Sequence, residues 1–150
     1  MPMTKERVLV SACLLGENCK YNGGNNKTNA IIEFLKDKEV FPVCPEVFGG
    51  LPTPRLKNEI ILSNNQRIVI NENKEDVSEY FIKGALISLK KALDNGITLA
   101  ILKQKSPSCG YKKIYNGNFD GTIIEGNGIF TDILLKHNIK VLTEEDFKEE

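Results

Sequence analysis

The chain has 150 residues, of which 41% are hydrophobic and 27% charged, and its 20 basic residues balance 20 acidic ones. This composition excludes a disordered or fibrous protein and predicts one folded domain spanning residues 1–150. The zero net charge disfavours a general nucleic-acid binder. No segment approaches the roughly 18 apolar residues that cross a bilayer, and no signal peptide is visible. We therefore expect a cytoplasmic protein whose cysteines stay reduced.

Short apolar segments alternate with segments of helical periodicity along the chain. The first predicted strand is followed by a glycine-rich polar loop and by a helix that Thr28 or Asn29 caps. Pro42 indicates that the second strand lies at a sheet edge or that the strand ends there. Later come a hairpin, a long helix that Gly96 ends, another buried strand, a last helix and a last strand. The predicted strands are 7–13, 40–44, 59–62, 67–70, 97–102 and 140–142, and the later helices are 75–95 and 129–137.

This order of elements predicts an α/β fold. Strands that alternate with helices form a mainly parallel sheet covered by helices on its faces. We expect a three-layer, Rossmann-like domain with about four parallel strands plus a β-hairpin. Residues 45–55 are expected to form an irregular loop, residues 114–128 a turn-rich stretch, and the acidic tail to fray.

Three of the four cysteines lie at or just beyond the predicted carboxyl ends of strands: Cys13, Cys44 and Cys109. In open α/β sheets these ends share one edge, where ligands collect. Each cysteine could instead be a small buried hydrophobe. The clustering favours a metal site, and one histidine, His137, leaves little material for a histidine-based one. Zinc with an open position and an iron–sulfur cluster with one open iron both remain possible.

Long motifs make the chain recognisable. They run through residues 10–16, 19–23, 42–55 and 102–110, and shorter matches lie at 114–117 and 126–128. Together they resemble the domain-of-unknown-function family 523 over nearly the whole chain. Characterised members of that family are thiouracil desulfidases, which carry a [4Fe–4S] cluster on three cysteines and remove sulfur without net redox change.

The resemblance implies roles for individual residues. Cys13, Cys44 and Cys109 become the expected cluster ligands, and Glu46 and Ser106 the expected catalytic side chains. Lys20, Asn22 and the pair at 57–58 depart from residues common in the family, which leaves the substrate open.

A mechanism follows from these roles as a hypothesis. A [4Fe–4S] cluster with one iron not bonded to protein binds the sulfur of a thiolated pyrimidine. Glu46 activates the attacking water, and Ser106 donates a hydrogen bond or relays a proton. Uracil forms, and hydrosulfide leaves on the cluster. The expected partner is thus a thiolated nucleobase or nucleotide, of the 4-thiouracil or 2-thiouracil type.

Four further residues are candidates for other roles at the site. Tyr21, Arg55 and Ser108 are candidates for substrate contact, although Tyr21 and Arg55 could instead pack or pair at the surface. Cys19 could be a spare ligand, a sulfide acceptor or a loop thiol, and we favour a role other than ligand.

Two alternatives to this function stay open. One is a desulfidase for 4-thiouridine in tRNA or for thio-UMP, with nucleic acid disfavoured by the neutral charge. The other is a non-catalytic iron–sulfur or zinc protein that acts as a sensor.

Overall fold

A computed structural model describes residues 5–147 of the chain. In chain order, the helices and strands of this range are β1 (Arg7–Ser11), a 3₁₀ helix (Ala12–Leu15), α1 (Asn29–Phe34), β2 (Glu39–Val43), α2 (Pro45–Phe48), β3 (Asn58–Ser63), β4 (Gln66–Asn71), α3 (Ser78–Asp94), β5 (Leu99–Leu102), β6 (Lys113–Tyr115), β7 (Ile123–Glu125), α4 (Ile129–Lys136), β8 (Lys140–Thr143) and a second 3₁₀ helix (Glu144–Phe147).

The central sheet has four strands in the order β2-β1-β5-β8, and each neighbouring pair is parallel. This confirms the predicted fold class. Pro42 pairs with Val10 in β2, and β2 is an edge strand, the position in a sheet where proline is tolerated.

Alternate side chains of β1 enter two different hydrophobic cores, which makes three layers. Leu9 packs on one face with residues of α3 and α4, whereas Val8 and Val10 pack on the other face with residues of α1. All three side chains are fully buried. A sheet whose two faces are both covered needs such continuously apolar strands.

Three features differ from the sequence-based expectations. The stretch predicted as turns contains a second antiparallel hairpin, β6–β7, and the supposed loop after Cys44 begins with the short helix α2. The predicted fraying of the tail is wrong for Glu144–Phe147, which form a 3₁₀ helix; residues 148–150 lie outside the described part.

Within residues 5–147, no helix combines the length and apolarity that crossing a bilayer demands.

Two glycines set how closely α2 packs against α3. A Cβ on Gly84 would lie 1.6 Å from the carbonyl oxygen of Pro45, and one on Gly49 would lie 1.9 Å from that of Tyr80. Backbone therefore packs directly on backbone at this crossing. The contact fixes the position of α2, which carries Glu46.

Candidate active site

The strand order brings three cysteines to one cavity. Cys13 follows the interior strand β1, and Cys44 and Cys109 follow its two neighbours, β2 and β5. The carboxyl ends of these strands open into a cavity of about 380 Å³, which all four cysteines line. This is the crevice at which parallel sheets bind ligands. The sequence-based grouping of the three thiols is thus reproduced in space.

Cys19 joins the other thiols from the polar loop after β1. Its thiol is in hydrogen-bonding contact with the sulfurs of Cys13 and Cys44, and the Sγ of Cys44 donates to its backbone carbonyl at 3.9 Å. The contact with Cys19 lowers the pKa of Cys13, against the opposing effect of burial, and the Nδ2 of Asn26 adds a second hydrogen bond at 3.5 Å. The same pair of contacts raises the pKa of Cys19 itself.

Cys44 lies at the amino end of α2, where the chain leaves the sheet. The hydrogen bond from Cys19 is the main cause that lowers the pKa of Cys44 to about 7, and the backbone N–H of Val47 contributes in the same direction. Arg55 adds a favourable positive charge. The surroundings of Cys44 therefore stabilise a thiolate.

Cys109 lies in a tight loop whose backbone is held by Ser106. Ser106 Oγ accepts hydrogen bonds from the N–H groups of Ser108 and Cys109, at 3.1 and 2.8 Å. Burial raises the pKa of the Cys109 thiol to about 12, although a hydrogen bond from the hydroxyl of Ser11 acts against it. A thiolate at this position needs a bound cation to neutralise its charge.

These donors fit an iron–sulfur cluster. Three thiols come from three separate segments, and each sulfur accepts at least one hydrogen bond from a neighbouring protein group, as the sulfurs of cluster ligands commonly do. Among residues 5–147, no three His, Cys, Asp or Glu side chains converge on the position of a single metal ion. Thiolates are the usual protein ligands of iron–sulfur clusters.

Glu46 is held at the cavity by two side chains from different segments. Arg55 Nε donates to its Oε1 at 3.2 Å, and Ser108 Oγ donates to its Oε2 at 3.0 Å. The Glu46 and Arg55 side chains are only 14% and 6% exposed. Both carboxylate oxygens thus have defined positions within the cavity wall.

The structure brings all eight sequence-predicted site residues to this cavity: Cys13, Tyr21, Cys44, Glu46, Arg55, Ser106, Ser108 and Cys109. Arg55 also donates to the carbonyls of Cys19 and Pro52 and to Thr53 Oγ1. Its guanidinium is largely engaged with protein, which limits it as a substrate contact. Ser106 reaches Glu46 through Ser108, because the two hydroxyls lie 2.9 Å apart.

Sequence reasoning gave no role at the site to several other residues of the cavity wall. Glu59 and Gln104 are buried polar side chains on the cavity, and Lys20, Lys57 and Lys105 bring positive charge to it. Glu59 and Gln104 stand out only as polar residues inside or directly after apolar strands. Lys105 adopts a left-handed backbone with φ of 71°, which the sequence did not indicate.

Comparison with known proteins places the chain in a family. Residues 8–146 match the model of the 2-thiouracil desulfurase family. YbbK of Bacillus subtilis (strain 168), a protein described as uncharacterized, is 35% identical over 148 residues, covering 95% of this chain and 98% of YbbK. The solved structure of the [4Fe-4S]-dependent thiouracil desulfidase TudS (DUF523Vcz) is 40% identical, with a TM-score of 0.86 over 95% of this chain and 93% of TudS. The chain belongs to the 2-thiouracil desulfurase family.

Proposed function

We propose that this protein is a [4Fe–4S]-dependent thiouracil desulfidase that converts a thiolated pyrimidine to uracil and releases sulfide. One observation carries the proposal: three thiols from three neighbouring strand ends line one cavity, and a carboxylate held at both oxygens borders the same space. The similarity to TudS over nearly the full length of both chains supports the same chemistry.

Cys13, Cys44 and Cys109 are the residues that would hold the cluster. Cys19 then stays a hydrogen-bond donor to two of the ligand sulfurs. Three protein ligands leave one iron of a cubane without a protein bond, and such an iron supplies a Lewis acid with affinity for sulfur. All four cysteines are free thiols, which a reducing compartment such as the cytoplasm maintains.

Glu46 is the proposed general base. Its carboxylate takes a proton from a water molecule, and the resulting hydroxide attacks the thiocarbonyl carbon of the pyrimidine. The adduct then collapses: the proton held by Glu46 passes to the sulfur, the carbon–sulfur bond breaks and hydrosulfide leaves, and the added hydroxyl gives up its proton and becomes the new carbonyl. Arg55 and Ser108 orient the carboxylate, and Ser106 extends the hydrogen-bond chain from which a proton can be relayed. Tyr21 offers an aromatic ring on the cavity wall for the base.

The charge of the cavity wall favours a nucleotide as a second candidate substrate. Lys20, Lys57 and Lys105 line the cavity, and none of them forms an ion pair within the described residues. Lys57 Nζ lies over the ring of Tyr21, 5.6 Å from its centroid. Lysines without a carboxylate partner suit a phosphate group, such as that of thio-UMP. Comparing kcat/KM for 4-thiouracil and 4-thio-UMP separates the two substrates.

Anaerobic reconstitution with iron and sulfide, followed by incubation with 4-thiouracil, tests the function. We expect a brown protein that releases one hydrosulfide per uracil formed. Glu46→Gln should keep the chromophore and lose turnover by about 10²-fold or more, whereas Glu125→Gln, an exposed residue away from the cavity, should change neither. A protein without chromophore contradicts the proposal, and a chromophore without sulfide release favours the sensor alternative.

A further inference from the structure

Two buried polar side chains on the cavity wall have no place in the chemistry described so far. Glu59, on β3, is 7% exposed, and Gln104, just after β5, is 5% exposed. Both line the cavity that holds the four cysteines. Polar groups are seldom buried to this degree unless their hydrogen bonds are satisfied.

Each of these side chains uses only one of its two polar atoms on the protein. Glu59 Oε1 accepts the N–H groups of Gly117 and Phe119, at 2.9 and 3.2 Å. Gln104 Oε1 accepts the N–H groups of Lys105 and Tyr111, at 3.1 and 2.8 Å. Both side chains therefore hold a loop of the cavity wall and have a fixed orientation.

The second polar atom of each side chain is left open. Within residues 5–147, neither Glu59 Oε2 nor Gln104 Nε2 has a hydrogen-bond partner, and Glu59 forms no ion pair. An unpartnered polar atom is either enclosed by protein or in contact with open space. In the same part of the chain, the enclosed side-chain atoms without a partner are Ser88 Oγ and Thr131 Oγ1, so Glu59 Oε2 and Gln104 Nε2 are not enclosed. The free atoms of Glu59 and Gln104 therefore border open space. Glu59 also borders a small recess beside Ile114, but the open space that both residues share is the cavity.

The two free atoms are an acceptor and a donor. A carboxylate oxygen accepts hydrogen bonds only, and an amide nitrogen donates them only. A pyrimidine such as 4-thiouracil carries the complementary groups: the N3–H donor and, next to it, the carbonyl oxygen on C2. N3–H is also the ring N–H that a free base and its nucleotide share.

We propose that Glu59 and Gln104 determine substrate specificity: Glu59 Oε2 accepts the N3–H of the pyrimidine, and Gln104 Nε2 donates to the carbonyl oxygen on C2. The inference rests on the proposed desulfidase function and adds to it the groups that read the base. A site built to hydrogen-bond a substrate rejects analogues that lack the matching group, because its buried polar atoms stay unpaired.

Isosteric exchanges test each contact without disturbing the wall. In Glu59→Gln the side-chain oxygen still accepts the two loop N–H groups, and a donor replaces the acceptor that faces the cavity. Gln104→Glu keeps its two loop contacts in the same way and replaces the donor with an acceptor. Glu125→Gln is the matched control for Glu59→Gln, because it makes the same change of charge at an exposed position outside the cavity.

For Glu59, the cluster-loaded protein is assayed with 1-methyl-4-thiouracil and 3-methyl-4-thiouracil. We expect kcat/KM of the wild type to be at least about tenfold lower for the 3-methyl compound. Most of this gap should disappear in Glu59→Gln, and Glu125→Gln should keep it. Equal kcat/KM for the two compounds in the wild type would overturn the role of Glu59. So would a difference in Glu59→Gln as large as that in the wild type, because a purely steric effect of the methyl group is the same in both proteins.

For Gln104, 4-thiouracil is compared with 4(3H)-pyrimidinethione, which lacks the oxygen on C2. The wild type should prefer 4-thiouracil by about tenfold or more, and Gln104→Glu should lose this preference. An unchanged preference in Gln104→Glu, or none in the wild type, contradicts the role of Gln104.

Calorimetry of uracil and 3-methyluracil binding tests the role of Glu59 without requiring turnover, because it compares the affinities of a ligand with and without N3–H. Uracil should bind the wild type at least about tenfold more tightly than 3-methyluracil does, and Glu59→Gln should bind the two alike. If the wild type releases no sulfide, the proposed function is wrong, but the binding comparison still tests whether Glu59 recognises N3–H. If the wild type releases sulfide and binds uracil and 3-methyluracil equally, only the role of Glu59 is wrong. The wild-type comparison also holds if Glu59→Gln fails to fold.

Discussion

Ser108 Oγ donates a hydrogen bond to Glu46 Oε2 at 3.0 Å, although 62 residues separate the two in sequence. The contact joins the loop of Cys109 to the short helix that follows Cys44. Since Arg55 holds the other oxygen of Glu46, the carboxylate has one donor on each side. Ser108 is itself 1% exposed, so the contact is shielded from competing water.

Ser108→Ala should therefore lower kcat by about tenfold to a hundredfold, because a hydrogen bond to a charged group is worth roughly 1.5–3 kcal/mol. The iron and sulfide content should stay close to that of the wild type. Sulfide release per cluster measures the effect. Ser88→Ala is the matched control, since Ser88 is equally buried, lies in α3 and has an unpartnered hydroxyl. A Ser108→Ala protein with normal kcat would show that this contact does not orient the base.

The fold was largely predictable from the sequence, and the contacts within the site were not. Apolar β-branched runs identify the parallel strands, and the cysteines that follow them mark the ligand-binding edge. The strands of β6–β7 have three residues each, and β7 is exposed, so that hairpin leaves no periodic signal. The helix α2 has four residues and is equally hard to detect. An arginine such as Arg55 is expected at the surface, and only the folding of the intervening loop turns it onto Glu46.

Arg55→Lys should destabilise the protein markedly. The guanidinium donates to Glu46, to the carbonyls of Cys19 and Pro52, and to Thr53 Oγ1, and an ammonium group cannot reproduce this planar set. We expect a loss of about 2–4 kcal/mol in the free energy of unfolding, because a nearly buried carboxylate loses much of its pairing. Urea denaturation of the protein without cluster measures it.

The control for this substitution is Arg7→Lys. Arg7 pairs with Glu39 at the same 3.2 Å, but the two side chains are 40% and 46% exposed. Solvent-exposed pairs contribute about 0–1 kcal/mol, so this variant should unfold much like the wild type. Equal losses in the two variants would show that burial of the Arg55 pair is unimportant.

Gly84→Ala should destabilise the protein, contrary to the usual effect of alanine within a helix. An alanine in a helix interior normally gains about 0.5–1 kcal/mol over glycine. Here its Cβ would lie 1.6 Å from the carbonyl oxygen of Pro45, so α2 and α3 must separate. We expect a net loss of about 1–3 kcal/mol from overpacking, together with lower cluster content, since α2 follows Cys44 directly.

Denaturant titration and iron analysis measure the two effects of Gly84→Ala. Lys83→Ala, at the exposed neighbouring position of α3, should stay within about 0.5 kcal/mol of the wild type and bind iron normally. Unchanged stability in Gly84→Ala would mean that the two helices tolerate a wider separation.

Single alanine substitutions of the four cysteines separate the ligands from the hydrogen-bond donor. Cys13→Ala, Cys44→Ala and Cys109→Ala should each lose most of the iron, acid-labile sulfide and brown absorbance, because a cubane held by two thiolates has lost a third of its protein ligands. Cys19→Ala should retain the cluster, since Cys13, Cys44 and Cys109 supply the three proposed ligands and Cys19 contacts two of their sulfurs. Loss of this contact should still change the reduction potential, because hydrogen bonds to ligand sulfurs tune it. Iron analysis measures cluster content, and potentiometric titration measures the reduction potential.

A Cys19→Ala protein without a cluster would contradict this assignment. Cys19 would then be a fourth ligand, and the proposed iron without a protein bond would not exist.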